Sequence, residues 1–488
     1  MLILALATSI GGIAVTNANP LIPPGDITLR HDIQLLADEG IIKGPVTSWP
    51  LSWNAILADI DRSDTEGELS DTVSLALARV RERARWETEA HEPRFSVKAS
   101  AAEHPWRVRS FADTPRDSGE IGAGLSWTGD RLSVRFEGQV VASPEDGKDY
   151  RADGSMLGLT LGNYTFAAGT MDRWWGPGWD GSLILSNNAR PIPAITIDRN
   201  GTDAFDTRWL RWLGPWDMSI LFGRMENDRV IGDARFFGLR FNFRPWPSLE
   251  LGLSRTAQWC GEGRPCGLDT FTDLFLGRDN RGDGGVELDN EPGNQLAGVD
   301  FRWNASKLGL PLTIYGQLIG EDEAGGFPSR HIGQAGIEGS GTLKSWSYRL
   351  FGEYAATTCG FYKADEIFNC AYNHAIYRTG YRYRGRSIGH GADNDSNLLS
   401  VGVFLVDAEG NGWSAILRRG ELNYGGDPDP GNLLTATSQD IVELQLSHRR
   451  FFRYGQIEIG VGAERVDDIA SGMSDTAGKA YLQWQSSY

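Results

Sequence analysis

From Arg94 onward, apolar and polar side chains alternate with a period of two. Leu132, Val134 and Phe136 alternate with Ser133, Arg135 and Glu137, and Leu157, Leu159 and Leu161 alternate with Gly158, Thr160 and Gly162. The pattern recurs at Phe237, Leu239, Phe241 and Phe243, at Leu249, Leu251 and Leu253, at Val442, Leu444 and Leu446, and at Ile457, Ile459 and Val461. Successive side chains of a strand point to opposite faces, so each run predicts a strand with one apolar and one polar face. Tight turns are expected around Gly129–Asp130, Gly162–Asn163, Gly214–Pro215, Pro245–Pro247 and Gly410–Gly412. Longer turns fall at 304–311, 340–345 and after Arg450. Between them lie long segments at 102–118, 143–154, 172–204, 225–232, 258–294, 321–331, 356–397, 422–438 and 464–478. Short and long connections therefore alternate. A single-chain outer-membrane barrel alternates in this way, and the long segments predict about 18 strands. Ala480, Leu482, Trp484 and Tyr488 place a last strand with a terminal aromatic, interrupted at Ser486.

The region before Arg94 has a different period. Leu29, Ile33 and Leu36 follow a candidate cap at Asp26, and Gly40 is a candidate stop. Trp53, Ile56, Leu57 and Ile60 follow Ser52. Val73, Leu75, Leu77 and Val80 follow Asp71 and lead into the charged stretch Arg81–Arg85. Three short amphipathic helices are predicted, serving as a small plug or brace. At the N-terminus, the apolar stretch Leu2–Val15 and the small residues Thr16 and Ala18 resemble a secretory signal peptide, although no Lys or Arg precedes the stretch. The expected organisation is a signal peptide at 1–18, a periplasmic helical region at 19–92 and a barrel at 93–488.

Composition agrees with this organisation without requiring it. The chain has 488 residues, a formal charge of -17 and 61 glycines. Its mean hydropathy of -0.33 argues against a helical membrane protein, and no window after residue 18 reaches the ~18 to 20 apolar residues of a spanning helix. The acidic balance argues against a nucleic-acid partner. The four cysteines form two close pairs, Cys260 with Cys266 and Cys359 with Cys370. In an exported chain local disulfides are expected, although cross-pairing is open, and neither pair has the CxxC spacing of a zinc site.

Candidate chemistry concentrates in two long segments. The first carries Trp174, Trp175 and Trp179 among turn formers, with Asp172, Arg173, Asp180, Asn187, Asn188 and Arg190. Indole faces pack on the C–H face of sugars, while carboxylates, amides and guanidinium groups bind hydroxyls or acidic groups. The same residues suit an inward-folded loop that constricts the barrel, and spacing alone favours this second reading. The second segment carries Tyr372, His374, Arg382, Arg384 and Arg386. In an extended run the three arginines would share one face, ready for an acidic polysaccharide or for acidic lumen walls. His390, Asp393 and Ser396 invite a hydrolase reading, but a triad is defined in space rather than by proximity in sequence. Asp279–Gly284 is an acidic loop without the full ligand pattern of an EF-hand. The sequence carries no phosphate-loop, dinucleotide or HExxH motif, so no cofactor and no metal is expected.

The stretches DRWWGPGWDGSLILSNNARPIPA (172–194) and NCAYNHAIYRTGYRYRGRSIGHGADNDS (369–396) resemble the capsule assembly Wzi family, and LRHDIQLLADEGIIKGPVTSWPLSW (29–53) is similar in style. The resemblance spans the mature chain. It implies an 18-stranded barrel with a periplasmic helical bundle, in the outer membrane of a Gram-negative bacterium. It also implies a lectin-like, non-enzymatic role in holding capsular or exopolysaccharide. It marks segments rather than individual sugar contacts, so the residues named above are expectations from side-chain chemistry. Expected partners are the polysaccharide and the surrounding lipid and lipopolysaccharide, with the chain as a monomer. A porin or polysaccharide export channel is the main alternative, and a barrel-borne hydrolase the second.

Overall fold

The structure is a computed structural model that describes residues 20–63, 69–275, 293–306, 309–324, 327–426 and 431–487. The expected signal peptide, the acidic loop Asp279–Gly284 and Tyr488 lie outside the described residues. Eighteen antiparallel strands close into one barrel. The first, Arg94–Glu103, pairs with the last, Ser474–Ser487, from Glu103 opposite Ala480 to Ser96 opposite Ser487.

The two-residue period becomes two barrel faces. On the strand Asn397–Val406, Leu399 and Val401 are 50% and 54% exposed, whereas Ser400 between them is 2% exposed. The apolar row faces lipid and the polar row faces a filled lumen. Trp246, Trp413, Phe451, Phe452 and Tyr454 stand exposed near the tight turns, as an aromatic girdle at the membrane boundary. Phe237 and Phe243 lie on the lipid side but are covered. Phe271 of a short helix, Leu268–Phe275, packs on Phe237 at 5.3 Å, and Trp212 packs on Phe243 at 6.3 Å.

Three expected loops differ. Segment 172–204 contains the barrel strand Ala194–Arg199, so its outer part ends at Pro193. The following connection, 200–215, is long and lies on the tight-turn side, where a hairpin at Gly214–Pro215 was expected. The strand is hard to read because Ile195 and Ile197 are its whole apolar row. Segments 321–331 and 464–478 are mostly strand, because Thr313–Ala324, Phe327–Leu343, Gly455–Asp468 and Ser474–Ser487 extend through them.

The N-terminal helices are α1 (Ile27–Asp38), α2 (Trp53–Arg62) and α3 (Asp71–Thr88). Asp26 caps α1 by accepting from the N–H groups of Thr28 and Leu29, and Ser52 caps α2 through Ala55. Ser70, not Asp71, caps α3. Such caps satisfy amides that the first helical turn leaves unpaired. Ile33, Leu36, Ile56, Ile60, Ala76 and Val80 belong to the core of this region. The region plugs the barrel from the tight-turn side, and charged wall residues hold it. Arg302 pairs with Asp38 at 2.6 Å, Arg449 with Asp26 at 2.9 Å, and Arg79 of α3 donates to the carbonyl of Asp407 in a turn. Arg244 donates to the carbonyls of Ala37, Ile42 and Gly44, while Glu250 accepts from the amides of Val46 and Thr47.

Candidate functional site: the plugged lumen and its outer mouth

Two outer connections, 170–193 and 357–396, turn inward and meet the helical plug. The tip of the first is clasped from both sides. Glu353 on the wall accepts from the amides of Trp179, Asp180 and Gly181. Arg30 of α1 donates to the carbonyls of Pro177 and Gly178 at 2.7 and 2.8 Å. A carboxylate thus takes the N–H groups and a guanidinium the C=O groups, which satisfies a turn buried far from water. Burial pushes the Arg30 guanidinium down to about 9, against the pull of Glu338. The close approach requires glycine. A Cβ on Gly178 would lie 2.2 Å from the carbonyl oxygen of Gly181, and one on Gly181 would lie 2.1 Å from the His390 ring.

The three expected indoles are all inside. Trp174 and Trp175 are fully buried, and Trp179 nearly so. Trp174 packs edge-on against Phe111 at 5.3 Å, within the helical core. Trp175 joins the lumen core formed with Leu183, Ile184 and Tyr381. Trp179 stacks on Phe351, donates to Glu338 and carries Arg30 over its face at 4.1 Å. None presents an open face to a sugar. The loop is an inward-folded constriction, and none of the three indoles is an exposed stacking platform.

The polar candidates are scattered. Asp180 is buried and pairs with Arg418 at 2.6 Å. Its burial raises the carboxyl, but Arg418 outweighs this and holds it below the usual carboxylate range. Arg418 continues to Glu443, which meets Lys479 at 3.4 Å. Asn188 donates to the carbonyl of Ser387, and Tyr372 to that of Leu183. Arg190 is partly buried between Asp146 at 2.5 Å and Asp153 at 2.7 Å. His374 is partly buried, its Nδ1 accepting from the amides of Ile376 and Tyr377.

The three arginines do not form a ladder. Arg382–Tyr383 and Arg386–Ser387 pair as a hairpin, and Arg384 sits in the turn with φ of 51°. The reversal sends each side chain to a different place. Arg382 is buried on Asp393 at 2.9 Å, Arg384 lies over Tyr383 at 5.6 Å, and Arg386 pairs with Glu145 at 2.8 Å. Arg384, Arg386 and His374 keep part of their side chains accessible.

His390, Asp393 and Ser396 are buried and separately engaged. His390 Nδ1 accepts from the amide of Ala392, Asp393 takes Arg382, and the Ser396 hydroxyl donates to the carbonyls of Ala392 and Asn394. Burial pushes the His390 imidazole down to about 4. Both cysteine pairs are bonded as local disulfides, Cys260 with Cys266 and Cys359 with Cys370, each within an outer loop.

These features define a class: a single-chain transmembrane β-barrel whose lumen is filled from one end by helices and from the other by inward-folded loops. The family model for capsule assembly protein Wzi matches residues 90–473, and the chain belongs to that family. Its barrel superposes on a solved Escherichia coli structure with a TM-score of 0.82 at 28% identity, covering 96% of this chain and 99% of that one. That protein is described as Wzi, an outer-membrane protein involved in group 1 capsule assembly and a carbohydrate-binding β-barrel. A Klebsiella pneumoniae protein of the cps region, named as an uncharacterized 55.8 kDa protein, is 36% identical over 318 residues. The match spans 64% of this chain and 61% of that relative's length.

Proposed function

We propose that this protein binds capsular or exopolysaccharide at the surface of a Gram-negative cell and organises it there without chemical turnover. The observation that carries the reading is the filled lumen of a barrel in this family. With helices and inward loops inside, the outer loop face is the ground for a long polymer. On that face Arg384, Arg386 and His374 supply hydrogen-bond donors and charge for hydroxyl and uronate groups. The buried indoles then brace the face from below and touch no sugar. The separate engagement of His390, Asp393 and Ser396 supports a non-enzymatic role. Closure of the barrel within one chain supports a monomer.

Glycan-array binding of the refolded protein tests the reading. Arg384→Ala and Arg386→Ala should each weaken binding several-fold with the barrel still folded. In cells, deletion should release polysaccharide into the medium with synthesis unchanged. Cell-bound polysaccharide at the parental level would refute the proposal.

A further inference from the structure

The plug does not fill the lumen evenly. A cavity of about 280 Å³ runs between it and the wall built from Arg94–Glu103, Gly119–Thr128, Leu132–Ala142 and Met156–Leu161. Its lining starts at the tight-turn end with Arg94, Thr128 and Trp86. It passes Ser96, Lys98 and Glu137 and ends at Arg151, Asp153 and Asp172 beneath the outer loops. The cavity therefore follows the wall over almost the full strand height. A space of this size has room for on the order of ten waters. The lining also calls for them. Ser133 Oγ, Glu120 Oε1 and Asn187 Oδ1 belong to residues that line this cavity, and these atoms are buried without a hydrogen bond to the protein, although Lys98 lies 3.6 Å from Glu120. Buried polar atoms of this kind take water as their partner.

The outer end is closed by side chains. Arg151 pairs with Asp117 at 2.5 Å and with Asp146 at 3.0 Å. Arg190 pairs with Asp146 at 2.5 Å and Asp153 at 2.7 Å. These residues tie the connections 104–118, 143–155 and 170–193 together across the mouth of the cavity. Their side chains are between 2% and 15% exposed, so salt screens them little.

We propose that the cavity is a hydrated conduit for small ions through an otherwise plugged barrel, latched shut at its outer end by the ion-pair cluster of Arg151 and Arg190. The conduit does not depend on polysaccharide binding. Removing both arginines leaves Asp117, Asp146 and Asp153 around the opening, so the opened conduit favours cations over anions.

Planar-bilayer recording tests this with the full-length refolded protein. The wild type should pass little current in potassium chloride. The Arg151→Ala/Arg190→Ala variant should conduct at least about ten-fold more, selectively for potassium, and Ser96→Trp added to it should silence that current. A second measurement leaves the latch intact. A Ser96→Cys variant should react with a small charged thiosulfonate reagent applied from the tight-turn side, since the native cysteines are held in disulfides. A double variant that folds but conducts no better than wild type would overturn the latch. An unreactive Ser96→Cys would overturn the conduit.

Discussion

The His390 side chain lies against Gly181 in the interior of the lumen, and its burial makes the inward loops sensitive to acid. An unfolded chain carries histidine near 6.5, whereas His390 sits at about 4 when folded. Between those values the unfolded state binds a proton that the folded state refuses. Stability that is fully present above pH ~6.5 is therefore lost as pH falls toward 4, by up to roughly 3 kcal/mol. His31, buried in α1 and facing Arg349, is lowered in the same direction. Urea unfolding midpoints should fall from about pH 7 to about pH 5, and His390→Asn should flatten that slope. Asp180 gives a second prediction. Asp180→Ala strips Arg418 of one of its two buried carboxylates and should cost about 3 to 5 kcal/mol, read as a lower unfolding midpoint. Residue identity alone could not place these groups. An Asp, an Arg and three indoles among glycines suit a glycan surface and a buried turn equally well. The distinction lies in partners remote in sequence, such as Glu353 and Arg30, which no local spacing reveals.

At the scale of elements, the strand faces give a direct test. Val401 stands mid-strand in the lipid-facing row of Asn397–Val406. Val401→Arg should cost about 2 to 4 kcal/mol near the bilayer midplane, measured by folding into lipid vesicles. The neighbouring Ser400 faces the lumen and donates to Asp180, so Ser400→Ala should lose about 1 kcal/mol and fold into vesicles normally. The seat of α1 gives another. Asp38→Ala removes the partner that Arg302 reaches across the lumen, so protease added at the tight-turn side should cleave ahead of Arg94 faster than in wild type, with the strands still protected. Elements with a strong local signal were legible in the sequence. Asp26 and Ser52 cap the helices expected of them, and the long alternating runs became strands. Elements defined by tertiary context were not. Ala194–Arg199 is too short to show its period, and the run through Arg382–Arg386 reverses at Arg384, so an extended reading put its side chains on one face when they diverge.

Across the whole molecule, the alternation of short and long connections was enough to give the strand number and which end carries the loops. That works because lipid and lumen impose opposite rules on neighbouring side chains. It did not say that the lumen is full. Plugging depends on wall charges such as Arg244, Glu250 and Arg302 finding partners in the N-terminal region, and inward-facing charge is equally expected of an open pore. The pairing of Arg94–Glu103 with Ser474–Ser487 has a temporal consequence. The seam joins Arg94–Glu103 to Ser474–Ser487, so it cannot form until the whole sheet has been made. Until then both strands present unpaired edges, and closure within one chain is what removes them. A chain ending at Gly472 lacks the closing strand, so it should keep an open edge at Arg94–Glu103 and never acquire the compact gel mobility of the sealed barrel.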